Sequence, residues 1–172
     1  SLGQLLFNKC TVAESVSLPS TLTKMSDTKV PKYGTFRECT SLKSVTMPAN
    51  LEMIGSYCFL DCTALTTVIL NDKLTSIGDY AFNGCTALKS IKFPDSLTSI
   101  GLSSFEGCTD LTTVTYGMGM TETGNLAFRN ASVSKINFSS TITEISPWSF
   151  YGCNFVKLEI PETVTKINIR GF

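Results

Sequence analysis

The chain has 172 residues, 42% of them hydrophobic, and carries 14 basic and 14 acidic side chains. This neutral balance, without a long run of either sign, argues against nucleic acid as a partner, and no stretch approaches the roughly eighteen consecutive apolar residues of a membrane span, so no direct membrane insertion is expected. The absence of histidine removes Ser-His-Asp and Cys-His catalysis, and the acids scatter without pairing, so no enzyme, catalytic residue or cofactor is expected.

From the N-terminus onward, Phe7, Phe36, Phe59, Phe82, Phe105, Phe128, Phe150 and Phe172 recur at spacings of 29, 23, 23, 23, 23, 22 and 22 residues. A period in the low twenties marks a solenoid. Each coil is too small to bury its apolar side alone, so equivalent residues line up into one continuous core. Residues 1–172 read as a single array of about seven coils. The first spacing carries six extra residues within 26–35, which predict a loop, either near a binding face or simply tolerated on the surface.

The clearest copy, Ile77–Ile100, divides into three pieces. Leu88–Phe93 predicts a short strand with Ile91 and Phe93 inward and Ser90 and Lys92 outward. A proline follows the strand at Pro19, Pro48, Pro94 and Pro161, where its missing N–H ends the ladder. A second extended piece holds Leu97 and Ile100. Gly78–Cys85 then predicts a helical or 3₁₀ turn with Ala81, Phe82 and Cys85 inward. Gly55, Gly78, Gly101 and Gly124 keep the repeat phase and do not form a phosphate loop. In the fifth unit Gly117 replaces the proline, which predicts a locally looser coil. The last two units each lose one residue before their strand.

Cys10, Cys39, Cys62, Cys85, Cys108 and Cys153 share one repeat position, and Cys58 sits at the Ala81 position. Side chains in such a column point the same way, which suits disulfides poorly. Without histidine, and with no tetrahedral arrangement, no metal is expected. The seven thiols read as reduced, buried and packed beside Phe and Leu.

The outward strand positions form two columns. One holds Ser15, Ser44, Thr67, Ser90, Thr113, Lys135 and Lys157; the other holds Ser17, Thr46, Ile69, Lys92, Thr115, Asn137 and Glu159. Small hydroxyl residues suit β-structure and make a flat polar floor. That floor is able to receive an extended protein or a glycan, or to be simply soluble filler. The lysines at Lys92, Lys135 and Lys157 favour an acidic partner.

The recurring pattern L-x-x-I-x-[IFL]-P-x-x-[LV]-x-x-I-G-x-x-A-F-x-x-C resembles the BspA-like, Treponema-type class of 23-residue leucine-rich repeats over nearly the whole chain. The resemblance implies a leucine-rich repeat solenoid: a right-handed superhelix with a parallel sheet on its concave side. The candidate binding residues Ser44, Thr46, Thr67, Ile69, Ser90, Lys92, Thr113, Thr115, Lys135, Asn137, Lys157 and Glu159 would then line that concave face. Members are commonly secreted or cell-surface proteins of host-associated microbes. Those studied act in adhesion to host matrix proteins, in coaggregation or in invasion. The implied function is therefore a non-enzymatic adhesion or protein-binding module, with a host matrix or cell-surface protein or a glycan as partner. A structural spacer and an intracellular scaffold remain open as alternatives. Both termini fall at one phase of the repeat without a polar cap, so the array is expected to be part of a longer protein with signal and anchor elsewhere.

Overall fold

The computed structural model describes residues 7–25, 27, 29–30 and 33–172. Residues 1–6 and part of the expected insertion loop (Ser26, Thr28, Pro31 and Lys32) lie outside the described residues. Ten short strands form among them: Ser44–Thr46 (β1), Met53–Ile54 (β2), Thr67–Ile69 (β3), Ser76–Ile77 (β4), Ser90–Lys92 (β5), Ser99–Ile100 (β6), Thr113–Thr115 (β7), Lys135–Asn137 (β8), Glu144–Ile145 (β9) and Lys166–Ile167 (β10).

Every pairing is parallel and joins equivalent repeat positions, which makes the chain a parallel-strand solenoid. The first ladder runs β1–β3 and then β5–β7–β8; the second runs β2–β4–β6 and then β9–β10. Single bridges lengthen them, Ser15 to Ser44 on the first and Lys24 to Met53 and Glu122 to Glu144 on the second. The strands are shorter than Leu88–Phe93 suggests. Leu88 still belongs to the preceding turn, its N–H bonded to Cys85 O at 3.1 Å. The first ladder is also interrupted between β3 and β5, where the Lys89 N–Thr66 O bond stretches to 3.5 Å.

The third side of each coil is a turn, not the helical segment that the sequence suggests. In the Phe82 coil, Tyr80 and Gly84 both lie in the left-handed region, at φ 55° and 71°. Two left-handed residues four apart cannot sit in a right-handed helix. What holds them there is hydrogen bonding between coils. Tyr80, Phe82 and Gly84 donate their N–H groups to Leu102, Ser104 and Glu106 O at 2.8, 2.8 and 2.9 Å. These donors are therefore not free for bonds along the chain. Other coils repeat the conformation with non-glycine residues such as Tyr57, Asp61 and Trp148, which carry its steric cost.

The core follows from this frame. Eight phenylalanine rings stack face to face from Phe7 to Phe172, with centroids 5.0 Å apart at the first pair and 5.6 Å at the last. Around them pack Leu65, Leu88 and Leu111 before the strands, Val68, Ile91 and Val114 in them, and Leu74 and Leu97 beyond. Gly78 is required by close approach, since a Cβ there would lie 2.4 Å from Ser56 N of the neighbouring coil. The same reason overturns the looser fifth coil: a Cβ on Gly117 would meet Pro94 O at 2.3 Å, and Tyr116, Gly117 and Met120 are buried. Glycine there lets the coils approach more closely.

The thiols form the expected column, and all seven are free. Five of the six in-phase thiols also donate to the carbonyl of a phenylalanine in the preceding coil, among them Cys62 to Phe36 O at 3.0 Å, Cys85 to Phe59 O at 3.2 Å and Cys108 to Phe82 O at 3.3 Å. Burial pushes Cys58 and Cys108 up to about 12. Cys10 and Cys153 are only half-buried, because the core thins at their coils.

Candidate functional site

The two outward columns are set by register. Ser44 pairs with Thr67 and Thr46 with Ile69; Ser90, Thr113 and Lys135 follow one another, as do Lys92, Thr115 and Asn137. Each strand exposes its first and third residues because the middle one points into the core. Thr113 and Thr115 are half-covered, and Asn137 Nδ2 donates to Thr115 Oγ1 at 2.9 Å. The face is thus a polar floor with one apolar projection, Ile69, at 54% exposure.

Two of the twelve candidate residues are not on this floor. Lys157 and Glu159 lie outside any strand and pair with each other at 2.6 Å. The chain leaves the ladder before it reaches them, so their side chains point to water instead of extending the columns. Lys157 is neutralised in that pair, whereas Lys92 and Lys135 make no ion pair among the described residues. The positive character of the face therefore rests on two lysines, not three.

Other features carry no signal in the strand pattern. The Asp27 carboxylate accepts Ser56 N at 3.0 Å, the Ser56 hydroxyl accepts Asp79 N at 3.1 Å, and the Asp79 carboxylate accepts Leu102 N at 2.8 Å. Asp27 thus keeps the repeat phase. Beside the second ladder, Asp27 and Lys29 help line a cavity of about 230 Å³ with Ser76, Asp79 and Ser99. On the turn side, Tyr57 and Tyr80 stack at 5.1 Å. Trp148 meets Tyr151 edge-on at 5.0 Å, with the Arg170 guanidinium 4.5 Å over the Trp148 ring. Tyr57, Tyr80, Trp148 and Arg170 share the position two residues before the phenylalanine, and Tyr151 directly follows Phe150.

Among the described residues no cluster of acidic and sulfur side chains suits a metal, and no helix is long and apolar enough to cross a membrane. The pattern of the BspA type leucine rich repeat region matches residues 28–156 and 121–172. The chain belongs to this BspA-type leucine-rich repeat family. No curated protein matches it in sequence. The leucine-rich repeat protein of T. pallidum superposes over 90% of this BspA-type chain and 68% of its own, with a TM-score of 0.73 and 28% identity. A leucine-rich repeat protein from Bacteroides ovatus covers 94% of this chain with a TM-score of 0.70 and 24% identity. This chain spans about half of that protein's length, 46%. A leucine rich cell surface protein from Faecalibacterium prausnitzii aligns over 96% of this chain and 65% of its own, with a TM-score of 0.52 and 24% identity. At 24% identity the latter two share the fold alone. Repeat arrays of this family are protein-interaction or adhesion modules, a role that a regular extended surface suits.

Proposed function

We propose that this BspA-type array is a non-enzymatic binding module of a secreted or cell-surface protein, whose protein or glycan partner docks on the strand face. The partner class is an acidic host matrix or cell-surface molecule. The observation that carries the reading is the first-ladder floor, with Lys92 and Lys135 exposed, unpaired among the described residues and separated by the polar Thr113 and Thr115. A flat floor of β-compatible hydroxyls offers hydrogen bonds across many coils, and the two lysines supply a charge bias that steers an acidic partner. The surface location is supported by the Faecalibacterium prausnitzii cell surface protein of like fold.

The test is capture from matrix and cell-surface extracts with the whole array, followed by charge reversal. Lys92→Glu with Lys135→Glu is expected to weaken the captured interaction and its salt dependence. Lys24→Glu with Lys166→Glu, both on the second ladder, is expected to leave both unchanged. A stronger loss from the second pair rejects the strand face, and an array that captures nothing is a spacer.

A further inference from the structure

The coil after Phe150 departs from all those before it, on one side only. Its turn side stacks normally, with Trp148 N bonded to Ile169 O at 3.1 Å and Phe150 N to Gly171 O at 2.9 Å. Its second ladder is intact, β10 lying in register on β9. The first-ladder side opens. Asn154 N still reaches Val133 O at 3.0 Å, and the chain is held again only at Thr163, whose hydroxyl donates to Ile142 O at 2.9 Å. Between these two points the segment lies across a cleft from β8 and makes no backbone hydrogen bond to it.

The bonds that should close the gap are identifiable by phase. Phe93 N donates to Thr115 O and Tyr116 N to Asn137 O, both at 2.9 Å; Thr112 O accepts from Ser134 N and Lys135 N. The next steps would run from Phe138 N and to Ser134 O, and no such bond forms. The core is open at the same place. Val114 and Tyr116 are buried, whereas their successors Ile136 and Phe138 are half-exposed. The in-phase Leu158 and Ile160 do not cover them, and Val156 stands fully in water at 101% exposure. Two clefts, of about 370 and 250 Å³, meet at Ile136 and Glu159.

A local cause is visible. Phe155 stands where earlier coils have Leu42, Leu65, Leu88, Leu111 and Val133. Its ring meets Phe150 and Phe172 edge-on, at 6.0 and 6.1 Å. A ring in place of a smaller aliphatic side chain pushes the following segment outward, since a packed core does not absorb the extra volume.

We infer that the open edge of β8 is an acceptor for one added parallel strand from an extended peptide. The edge supplies backbone N–H and C=O groups, which bind any sequence in an extended conformation. The half-exposed Ile136 and Phe138 select an apolar side chain at every second peptide position. Lys135, without an ion pair among the described residues, selects a carboxylate opposite it. The occupant is thus a peptide alternating apolar and acidic residues. This site shares Lys135 with the broad strand face but otherwise uses the strand's edge, and it does not need Lys92.

The probe is a short fluorescein-labelled synthetic peptide alternating Glu with Leu and Ile, titrated into the whole chain by fluorescence anisotropy. Saturable binding is expected. It should weaken about tenfold or more when the peptide amides facing β8 are N-methylated, as loss of strand hydrogen bonds requires. Phe155→Leu restores the side chain usual at that position, lets residues 157–159 pair with β8, and should abolish peptide binding while raising thermal stability. Lys92→Glu should leave peptide binding unchanged, which separates this site from the strand-face reading. Equal binding of the methylated peptide overturns the proposal. So does amide exchange showing Phe138 N–H protected in the free chain as Tyr116 N–H is, because the chain's own segment would then fill the edge. A concentration-dependent dimer that excludes the peptide overturns it as well, since a second copy would be the occupant.

Discussion

The turn side and the strand face of this solenoid are made by the same repeat, yet they differ in tolerance. The turn side runs without a break from Phe7 to Phe172, each ring on the next. The strand face is interrupted between β3 and β5 and ends at β8. The difference follows from what each side brings to the contact between coils. A turn contributes a stacked ring, up to three N–H donors to the next coil and an inward thiol bonded to a phenylalanine carbonyl. A strand contributes three residues with one side chain buried, so a single oversized neighbour such as Phe155 can part it. Coil stacking therefore depends on the turns, and the strand face is free to vary.

The sharpest way to break this comparison is to remove one ring. Phe82 is fully buried between Phe59 and Phe105, with centroids 5.1 Å away on each side. Phe82→Ala is expected to lower the unfolding free energy by about 3–5 kcal/mol, through lost transfer energy and an unfilled cavity. Chemical denaturation measures it, and a loss no larger than that of a strand-face change removes the primacy of the turn side.

Close approach between coils comes next. Gly78→Ala places a Cβ 2.4 Å from Ser56 N, a contact with backbone that cannot rotate away. The expected cost is about 1–3 kcal/mol. Gly107 is the control. It has φ +72° but nothing within 4 Å of its Cβ site, so Gly107→Ala meets only backbone strain. It should cost about 1 kcal/mol. If the two substitutions shift the denaturation midpoint equally, close approach is not what demands glycine at Gly78.

The buried thiols, Cys108 in the column and Cys58 beside it, predict a pH dependence. Folding raises Cys58 and Cys108 from the ordinary 9.0 to about 12. Below pH 9 these thiols are protonated in folded and unfolded chains alike, and full stability is present. As pH rises from 9 towards 12, the unfolded chain ionises first and stability falls. At pH 10 each such thiol should weaken folding by about 1–2 kcal/mol. Thermal melts across this range should show a steady decline, and Cys108→Ala should make it shallower. A melting temperature flat to pH 11 contradicts buried, protonated thiols.

The smallest effect belongs to the exposed floor. Ser90→Ala, on an outward position of β5, should change stability by less than about 0.5 kcal/mol. A larger loss in denaturation would mean that the floor shares in holding the coils together.

The repeat phase alone indicated the solenoid, the inward phenylalanines, the thiol column and the two outward columns. This is possible because residues about 23 apart in sequence become neighbours in space, so a position's chemistry and its neighbours' chemistry are read from one periodic string. Ser44, Thr46, Thr67, Ile69, Ser90, Lys92, Thr113, Thr115, Lys135 and Asn137 fall on strands at the positions that period assigns them. The period could not reveal which backbone donors face the next coil. The turn's left-handed residues depend on that, and Tyr57, Trp148 and Glu38 have no intrinsic preference to announce it. Nor does it carry side-chain volume across coils. Lys157 and Glu159 are in phase with the columns, yet they leave the face and pair with each other. The ring of Phe155, set between Phe150 and Phe172, decides where their segment runs, and only three-dimensional packing contains that fact.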